Sequence, residues 1–223
     1  MTSDSTASRL DLASERVNYS GEHLIEETAP ADPYALFGLW MADAFTAKER
    51  GVLPEPTAMV VATCAGGQPS ARTVLLKEVG AGGFAFYTNY ASRKGIELME
   101  NPLVALHFGW YPLQRQVRVE GTAARVSRSD SEAYFATRPR GSQLGAWASP
   151  QSSEVGSPAV LTDSYRAFER LFAGRDVPCP PHWGGYRVSP ALIEFWQGQP
   201  SRMHDRLVYR RHGKDWTITR LAP

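Results

Sequence analysis

Residues 72–94 read RTVLLKEVGAGGFAFYTNYASRK, and their order decides the fold. Arg72 to Lys77 is a β-branched and aliphatic run, Gly80 to Gly83 a flexible turn, and Phe84 to Thr88 a second apolar run. Together they predict strand, turn and strand. Four cations, Arg72, Lys77, Arg93 and Lys94, mark the ends of these elements. In a regular strand, residues five apart point to opposite faces, so Arg72 and Lys77 are expected to serve two different anions. Ser92-Arg93-Lys94 opens a predicted helix, whose free N–H groups and dipole favour phosphate. Taken locally, the same cations also fit solvated charge at strand ends.

Upstream of this stretch, Asp32-Pro33 is a helix start, and Leu36, Phe37, Trp40, Ala44 and Phe45 recur at helical spacing as a core stripe until Gly51. Ala58 to Thr63 reads as a strand, and Ala65-Gly66-Gly67-Gln68-Pro69 as the turn that leads into Arg72. Residues 1–30 are polar and acidic and read as a mobile arm able to close over a ligand. Downstream, Leu103 to Phe108 and Gln114 to Val126 are strands, and Ser129 with Glu132 resembles a capping box for a helix. Gln143 to Ala148 and Pro158 to Ala173 follow as helices. Four short strands then close the chain: Tyr186–Ser189, Ile193–Trp196, Leu207–Arg211 and Trp216–Arg220. Strands towards both ends with helices between them predict an α+β protein, an antiparallel barrel with peripheral helices, in one domain over 31–223.

At 223 residues the chain is long enough for a substantial core, and 43% hydrophobic with 21% charged residues is an ordinary globular composition. Twenty-four Lys and Arg balance 23 Asp and Glu, so the overall charge gives no support to nucleic-acid binding; any basic site is local. Cys64 and Cys179 fit neither a disulfide framework nor a zinc pattern and suit a reducing compartment. The absence of a signal-like apolar run or a membrane-length segment makes a cytoplasmic protein without membrane association the expectation. His23, His107, His182 and His212 share no metal-ligand spacing, so no metal is expected.

Three further groups carry chemistry. Tyr134, Arg138 and Ser142 lie four apart, which puts a phenol, a guanidinium and a hydroxyl on one side of a helix and its last turn. That set is a phosphate clamp or an exposed helix face. Gln151-Ser152-Ser153 is a polar loop. Trp196 to Arg206, WQGQPSRMHDR, packs an aromatic plane, two Arg and one His between strands, and His204 reads either as a proton-transfer group or as a hydrogen-bonded loop histidine. GxGxxG, Walker A, GxSxG and HExxH patterns are absent in their required contexts. A mononucleotide with a small phosphorylated substrate would use both cation sets.

The motifs RTVLLK, FYTNYASRKG, RQVRVEG, RPRGSQLGAWASPQS, WGGYRVSP, IEFWQG, RMHDR and RLAP resemble, in order and spacing, the pyridoxine/pyridoxamine 5′-phosphate oxidase family over residues 30–223. A weaker match lies at Arg16-Val17-Asn18-Tyr19. The resemblance implies a split β-barrel homodimer with FMN at two sites along the subunit interface. It assigns FMN contacts to Arg72, Thr73, Val74, Leu75, Leu76, Lys77, Tyr87, Thr88, Arg93, Lys94, Gln116, Gln151, Ser152, Trp196 and Arg206. It assigns the substrate to Lys77, Tyr134, Arg138, Ser142, Arg202, Met203 and His204, with Arg16 and Tyr19 as a lid, and the catalytic roles to Arg202 and His204. Asn18 and Glu55 depart from the acidic and Asp residues common in the family. The implied reaction oxidises pyridoxine 5′-phosphate or pyridoxamine 5′-phosphate to pyridoxal 5′-phosphate. O2 is the acceptor and hydrogen peroxide the by-product, with ammonia also released from the amine. Two other readings share the barrel: a flavin- or deazaflavin-dependent reductase of another substrate, and a non-catalytic carrier of FMN or pyridoxal phosphate.

Overall fold

The computed structural model describes residues 12, 13 and 15–223; Met1 to Asp11 and Ser14 of the expected arm lie outside the described residues. Helix α1 (Pro33–Glu49) starts where Asp32 caps it, its side chain accepting from Tyr34 N. Strands β1 (Ala58–Ala65) and β2 (Gln68–Leu75) form a hairpin, and a short β3 (Glu78–Gly80) leads into β4 (Gly83–Asn89). Helix α2 (Arg93–Glu100), β5 (Leu103–Trp110) and β6 (Arg115–Arg125) follow. Helices α3 (Arg128–Ala136), α4 (Arg140–Ala148) and α5 (Pro158–Leu171) precede β7 (Trp183–Gln197), β8 (Asp205–His212) and β9 (Asp215–Arg220).

All nine strands form one antiparallel sheet in the order β2-β1-β5-β6-β7-β4-β3, with β8 and β9 branching from β7. The branch explains the split in the barrel. Along one side β7 pairs with β6 from Tyr186 to Gln197; on the other its first half pairs with β4 and its second half with β8. The change of partner falls at Ser189 to Ala191, opposite a bulge between Glu120 and Gly121. Pro190 has no N–H to give a ladder, and a bulge is where a central strand tolerates that loss. Gly121 is required there, because a Cβ would stand 2.3 Å from Ser189 O. Two short strands expected on either side of Pro190 are therefore one bent strand.

The strand-turn-strand unit of residues 72–88 also differs from expectation. β2 pairs with β1, while β4 lies near the opposite edge of the sheet beside β3. Leu76 and Lys77 cross the gap: Leu76 N donates to Thr57 O and Lys77 N to Ala85 O, both at 2.8 Å. These two residues close the barrel.

The core lies inside this curl. Phe37 of α1 meets Phe84 and Phe108 edge-on at 5.1 Å each, and Trp40 meets Phe195 at 5.2 Å. Full burial of each such ring stabilises the fold by roughly 1.5–3 kcal/mol. Phe45 of the expected stripe is exposed instead, as is Leu39, since α1 is apolar on both faces and Pro33, Leu36, Phe37, Trp40, Ala44 and Ala47 are the ones that turn inward. A second cluster of Phe135, Leu144, Phe172, Val177 and Trp183 joins α3, α4 and α5 to the start of β7. Ser127, not Ser129, caps α3, with its hydroxyl accepting from Asp130 N at 3.0 Å. Among the described residues, no helix is long and apolar enough to cross a membrane.

Candidate functional site

A cleft of about 790 Å³ opens between β2, the end of β4, the start of α2 and the α3–α4 corner. Arg72, Lys77, Arg93, Lys94 and Arg138 line it, with no carboxylate among the described lining residues. Thr73, Val74 and Leu75 line it from β2, Tyr87 and Thr88 from β4, and Gln151 and Ser152 from the loop after α4. Leu76 is buried beneath and does not reach it. Arg72 and Lys77 both line this one cleft rather than opposite faces, because the regular strand ends at Leu75.

One end is built on α2. Ser92 caps the helix, its hydroxyl accepting weakly from Gly95 N at 3.4 Å, and leaves the first N–H groups of the helix free for an anion. Lys94 Nζ donates to Gln151 Oε1 at 2.7 Å, Thr88 Oγ1 at 3.0 Å and Ser92 Oγ at 3.2 Å. Burial, then the nearby Arg72 charge, pulls the Lys94 ammonium down to about 8. Arg72 Nη1 donates to Thr63 Oγ1 at 2.6 Å and its Nη2 reaches Glu97 at 3.1 Å. Arg93 Nε donates to the other Glu97 oxygen at 2.8 Å.

The other end is aromatic and cationic. Tyr134 on α3 stacks on Tyr87 with ring centres 3.9 Å apart, and Trp183 lies parallel to both. Arg138 sits over the Trp183 ring at 4.6 Å. Its Nη1 is buried without a hydrogen-bond partner among the described residues, and burial pulls the guanidinium below its usual range. A desolvated, unpartnered guanidinium N–H is costly unless an anion arrives. Ser142, on the first turn of α4, completes the wall. Tyr134, Arg138 and Ser142 converge as expected, across a corner between two helices rather than along one helix face, since α3 ends at Ala136.

The remaining residues singled out from the sequence form a second cluster that does not line the cleft. Gln116 pairs with Trp196, and Trp196 with Arg206, across β6, β7 and β8. Trp196 and His204 lie 4.5 Å apart, and the Tyr19 ring stands edge-on to both, at 5.7 and 5.4 Å. Gln199 N donates to His204 Nδ1, so the neutral ring carries its proton on Nε2. Burial and then the Arg202 charge lower the imidazole below its ordinary value. Ser201 and Arg202 both hold left-handed backbone, φ 55 and 63, in a turn that exposes Arg202 and Met203. Asp205 ties the loop down, accepting from Leu24 N, Gln199 Nε2 and Arg220 Nη1. Arg16 is exposed. Arg206 donates to Glu194, which also holds Arg118.

Trp183 and Glu97 were not among the residues singled out. The signal for Trp183 was its place in WGGYRVSP, just after a proline-rich break; the spacing of Glu97, i+4 from Arg93, was the only local sign of the second.

A curled antiparallel sheet with a cation-lined cleft at its seam defines a split β-barrel protein whose cleft is suited to anionic ligands. Residues 45–170 match the family described as pyridoxamine 5′-phosphate oxidase, and residues 183–223 match the pyridoxine 5′-phosphate oxidase C-terminal dimerisation region. The chain belongs to the pyridoxamine 5′-phosphate oxidase family. It is 55% identical to the pyridoxine/pyridoxamine 5′-phosphate oxidase of Rubrobacter xylanophilus, covering 96% of this chain and 98% of the relative. The Burkholderia multivorans protein of the same name is 52% identical over 95% of this chain and 99% of its own length. Among solved structures, PhzG from Burkholderia lata, in complex with tetrahydrophenazine-1-carboxylic acid, superposes with a TM-score of 0.83 at 30% identity. That match covers 92% of this chain and all (100%) of the PhzG chain. A related FMN binding protein from Nostoc punctiforme shares the fold, with a TM-score of 0.64 at 14% identity over 87% of this chain and 98% of its own.

Proposed function

We propose that the protein oxidises pyridoxine 5′-phosphate and pyridoxamine 5′-phosphate to pyridoxal 5′-phosphate, with FMN as cofactor and O2 as electron acceptor. The observation that carries this reading is one cleft lined by five cations, of which Arg72, Arg93 and Lys94 gather around Glu97 and the start of α2 while Arg138 lies over Trp183; Lys77 is assigned here to the Arg138 end. A single phosphate uses only one of these two groups. FMN fits the first, where a helix N-terminus and a buried ammonium converge, and the substrate phosphate fits the second, where Arg138 Nη1 lacks a partner.

Bound FMN would supply the acceptor for the two electrons that leave the exocyclic carbon of the substrate as a hydride. The chain supplies position and electrostatics. Lys77, Tyr134, Arg138 and Ser142 hold the substrate phosphate, and Tyr87 and Trp183 brace Tyr134 from behind. Gln116, Trp196 and Arg206 complete the flavin pocket, and Arg202, Met203 and His204 border the pyridine ring. Arg202 clamps the ring, and the neutral His204 imidazole orients the substrate or takes its proton. Because these residues do not line the cleft of their own chain, they act across a homodimer, each copy closing the other's cleft; Trp196 to Arg206 fall within the matched dimerisation region. Arg16 and Tyr19, in the arm, cover the substrate. Two free cysteines fit a cytoplasmic setting.

The test is direct: the purified protein should show a flavin spectrum and, with pyridoxine 5′-phosphate in air, form aldehyde and peroxide together. A flavin-bearing protein that turns over neither phosphorylated vitamin sinks this reading. Sedimentation at micromolar concentration should show a dimer; a monomer that is fully active removes the shared-site arrangement.

A further inference from the structure

Glu97 does not line the cleft, yet both arginines at its flavin end are tied to it. The buried carboxylate accepts from Thr63 Oγ1 at 2.5 Å, Ser70 Oγ at 2.6 Å, Arg93 Nε at 2.8 Å and Arg72 Nη2 at 3.1 Å. These partners come from β1, β2 and α2, so one side chain ties three elements together at the base of the cleft. Burial alone pushes the Glu97 carboxyl up, but the bonds from Ser70, Thr63, Arg93 and Arg72 outweigh it and hold it at about 2. The group is an anion at every working pH.

Three cations within one short helix turn and its neighbouring strand repel each other. Arg72 pulls the Lys94 ammonium down, and the Glu97 charge opposes that pull. The other charged or titratable groups of this wall are Arg93 on α2, Tyr87 on β4, and Lys77, Tyr134 and Arg138 farther along the cleft lining. None of them is a carboxylate.

We infer that Glu97 is the positioning residue of the flavin-phosphate site: it fixes the directions of Arg72 and Arg93 without touching the ligand. The inference rests on the assignment of the α2 end of the cleft to the FMN phosphate. Two effects compete when Glu97 is neutralised. Its negative charge no longer opposes a phosphate, which strengthens binding; two long side chains lose their anchor and Lys94 loses its compensating charge, which weakens binding. The second effect wins on geometry, because both Glu97 oxygens are already occupied by donors and lie behind the arginines.

The experiment titrates the full-length chain, freed of flavin, with FMN and with riboflavin, which has the same ring and no phosphate. Flavin fluorescence is followed from about pH 6.5, above the second phosphate pKa, to about pH 9.5. Glu97→Gln should weaken FMN binding by about tenfold or more, the size of a lost charge-assisted contact, and leave riboflavin within about twofold. Its FMN affinity should begin to fall at lower pH than in the wild type, because Lys94 then loses its proton more easily. Unchanged or tighter FMN binding overturns the inference, and so does an equal loss for both flavins, which marks a merely structural role. Should Glu97→Gln fail to fold, Glu97→Asp keeps the charge on an arm one methylene shorter. That variant should lose preference for FMN over riboflavin while its alkaline fall stays at the wild-type pH; full retention of the preference overturns the inference. A wild-type chain that binds FMN and riboflavin equally removes the phosphate site itself, a separate failure visible before any variant is compared.

Discussion

Lys94 Nζ donates to Gln151 Oε1 across 2.7 Å, and this bond joins the first turn of α2 to the loop that follows α4. Among the described residues the same ammonium has no carboxylate in direct contact, and burial holds it at about 8. A phosphate binds the charged form. FMN affinity is therefore expected to be full below about pH 8 and to fall as pH rises through it. Lys94→Met should weaken FMN binding by about one to two orders of magnitude while the substrate KM moves far less. Equilibrium titration beside steady-state kinetics checks both, and a flat affinity between neutral and alkaline pH in the wild type would contradict the assignment.

At the other end of the cleft the order reverses. Lys77→Met and Arg138→Leu should raise the KM for pyridoxine 5′-phosphate by about tenfold or more with FMN affinity little changed. Arg138→Leu also removes a buried N–H that lacks a partner, so the ligand-free variant should melt no more than about 1 kcal/mol below the wild type despite the lost stacking on Trp183. A large loss of FMN in either variant would show that the two ends are misassigned.

His204 accepts from Gln199 N through Nδ1, and burial with the Arg202 charge lowers its pKa, which favours the neutral ring. Activity that needs the neutral ring is retained above its lowered pKa and lost as pH falls through it. The acid limb of kcat/KM should thus lie below the ordinary histidine range and disappear in His204→Asn. Arg202→Leu should lower kcat/KM by about tenfold or more, with an unchanged flavin spectrum. Wild-type kcat/KM in both variants would take the two residues out of the reaction.

Asp205 anchors the segment around Leu24 to the loop that carries His204. Burial raises its carboxyl, but Leu24 N, Arg220 and His23 outweigh that and set it below the usual carboxylate value. A depressed carboxylate contributes stability that is present above its unfolded pKa, about 3.9, and is lost as pH falls through the folded value. Asp205→Ala should cost about 1–2 kcal/mol near neutral pH, since Leu24 N and Gln199 Nε2 lose their acceptor while the exposed Arg220 keeps Glu26, and the deficit should shrink in acid. Melting curves across the pH range measure it. Proteolysis near residues 20–26 should quicken as well.

The strand pattern was legible because β-branched runs and glycine turns are local signals. β1, β2, β4, β5, β6, β8 and β9 lie within a few residues of their expected bounds. The partner of each strand was not legible. Residues 72–88 look like a hairpin because the turn is glycine-rich, yet β2 pairs backwards with β1 and the chain then crosses the seam. Pro190 hid the continuity of β7, because only the bulge opposite it, a non-local feature, lets the strand run on. In the cleft, the cations were legible as charge at element ends. Glu97 was not, since an acid one turn along a helix looks solvated until β1 and β2 are packed over it. Nor did the chain itself reveal that Trp196 to Arg206 would stand apart from the cleft; that follows from sheet order.

Leu76 and Lys77 are stitched by backbone hydrogen bonds to both margins of the seam, one to Thr57 and the other to Ala85. The distance between the Arg72 and Lys77 ends of the cleft is thereby set by main chain rather than by side-chain reach. The barrel works as a caliper whose jaws stand at a fixed opening. Two phosphates held at its two ends, one of the proposed cofactor and one of the proposed substrate, would keep a separation that side-chain motion alone does not change.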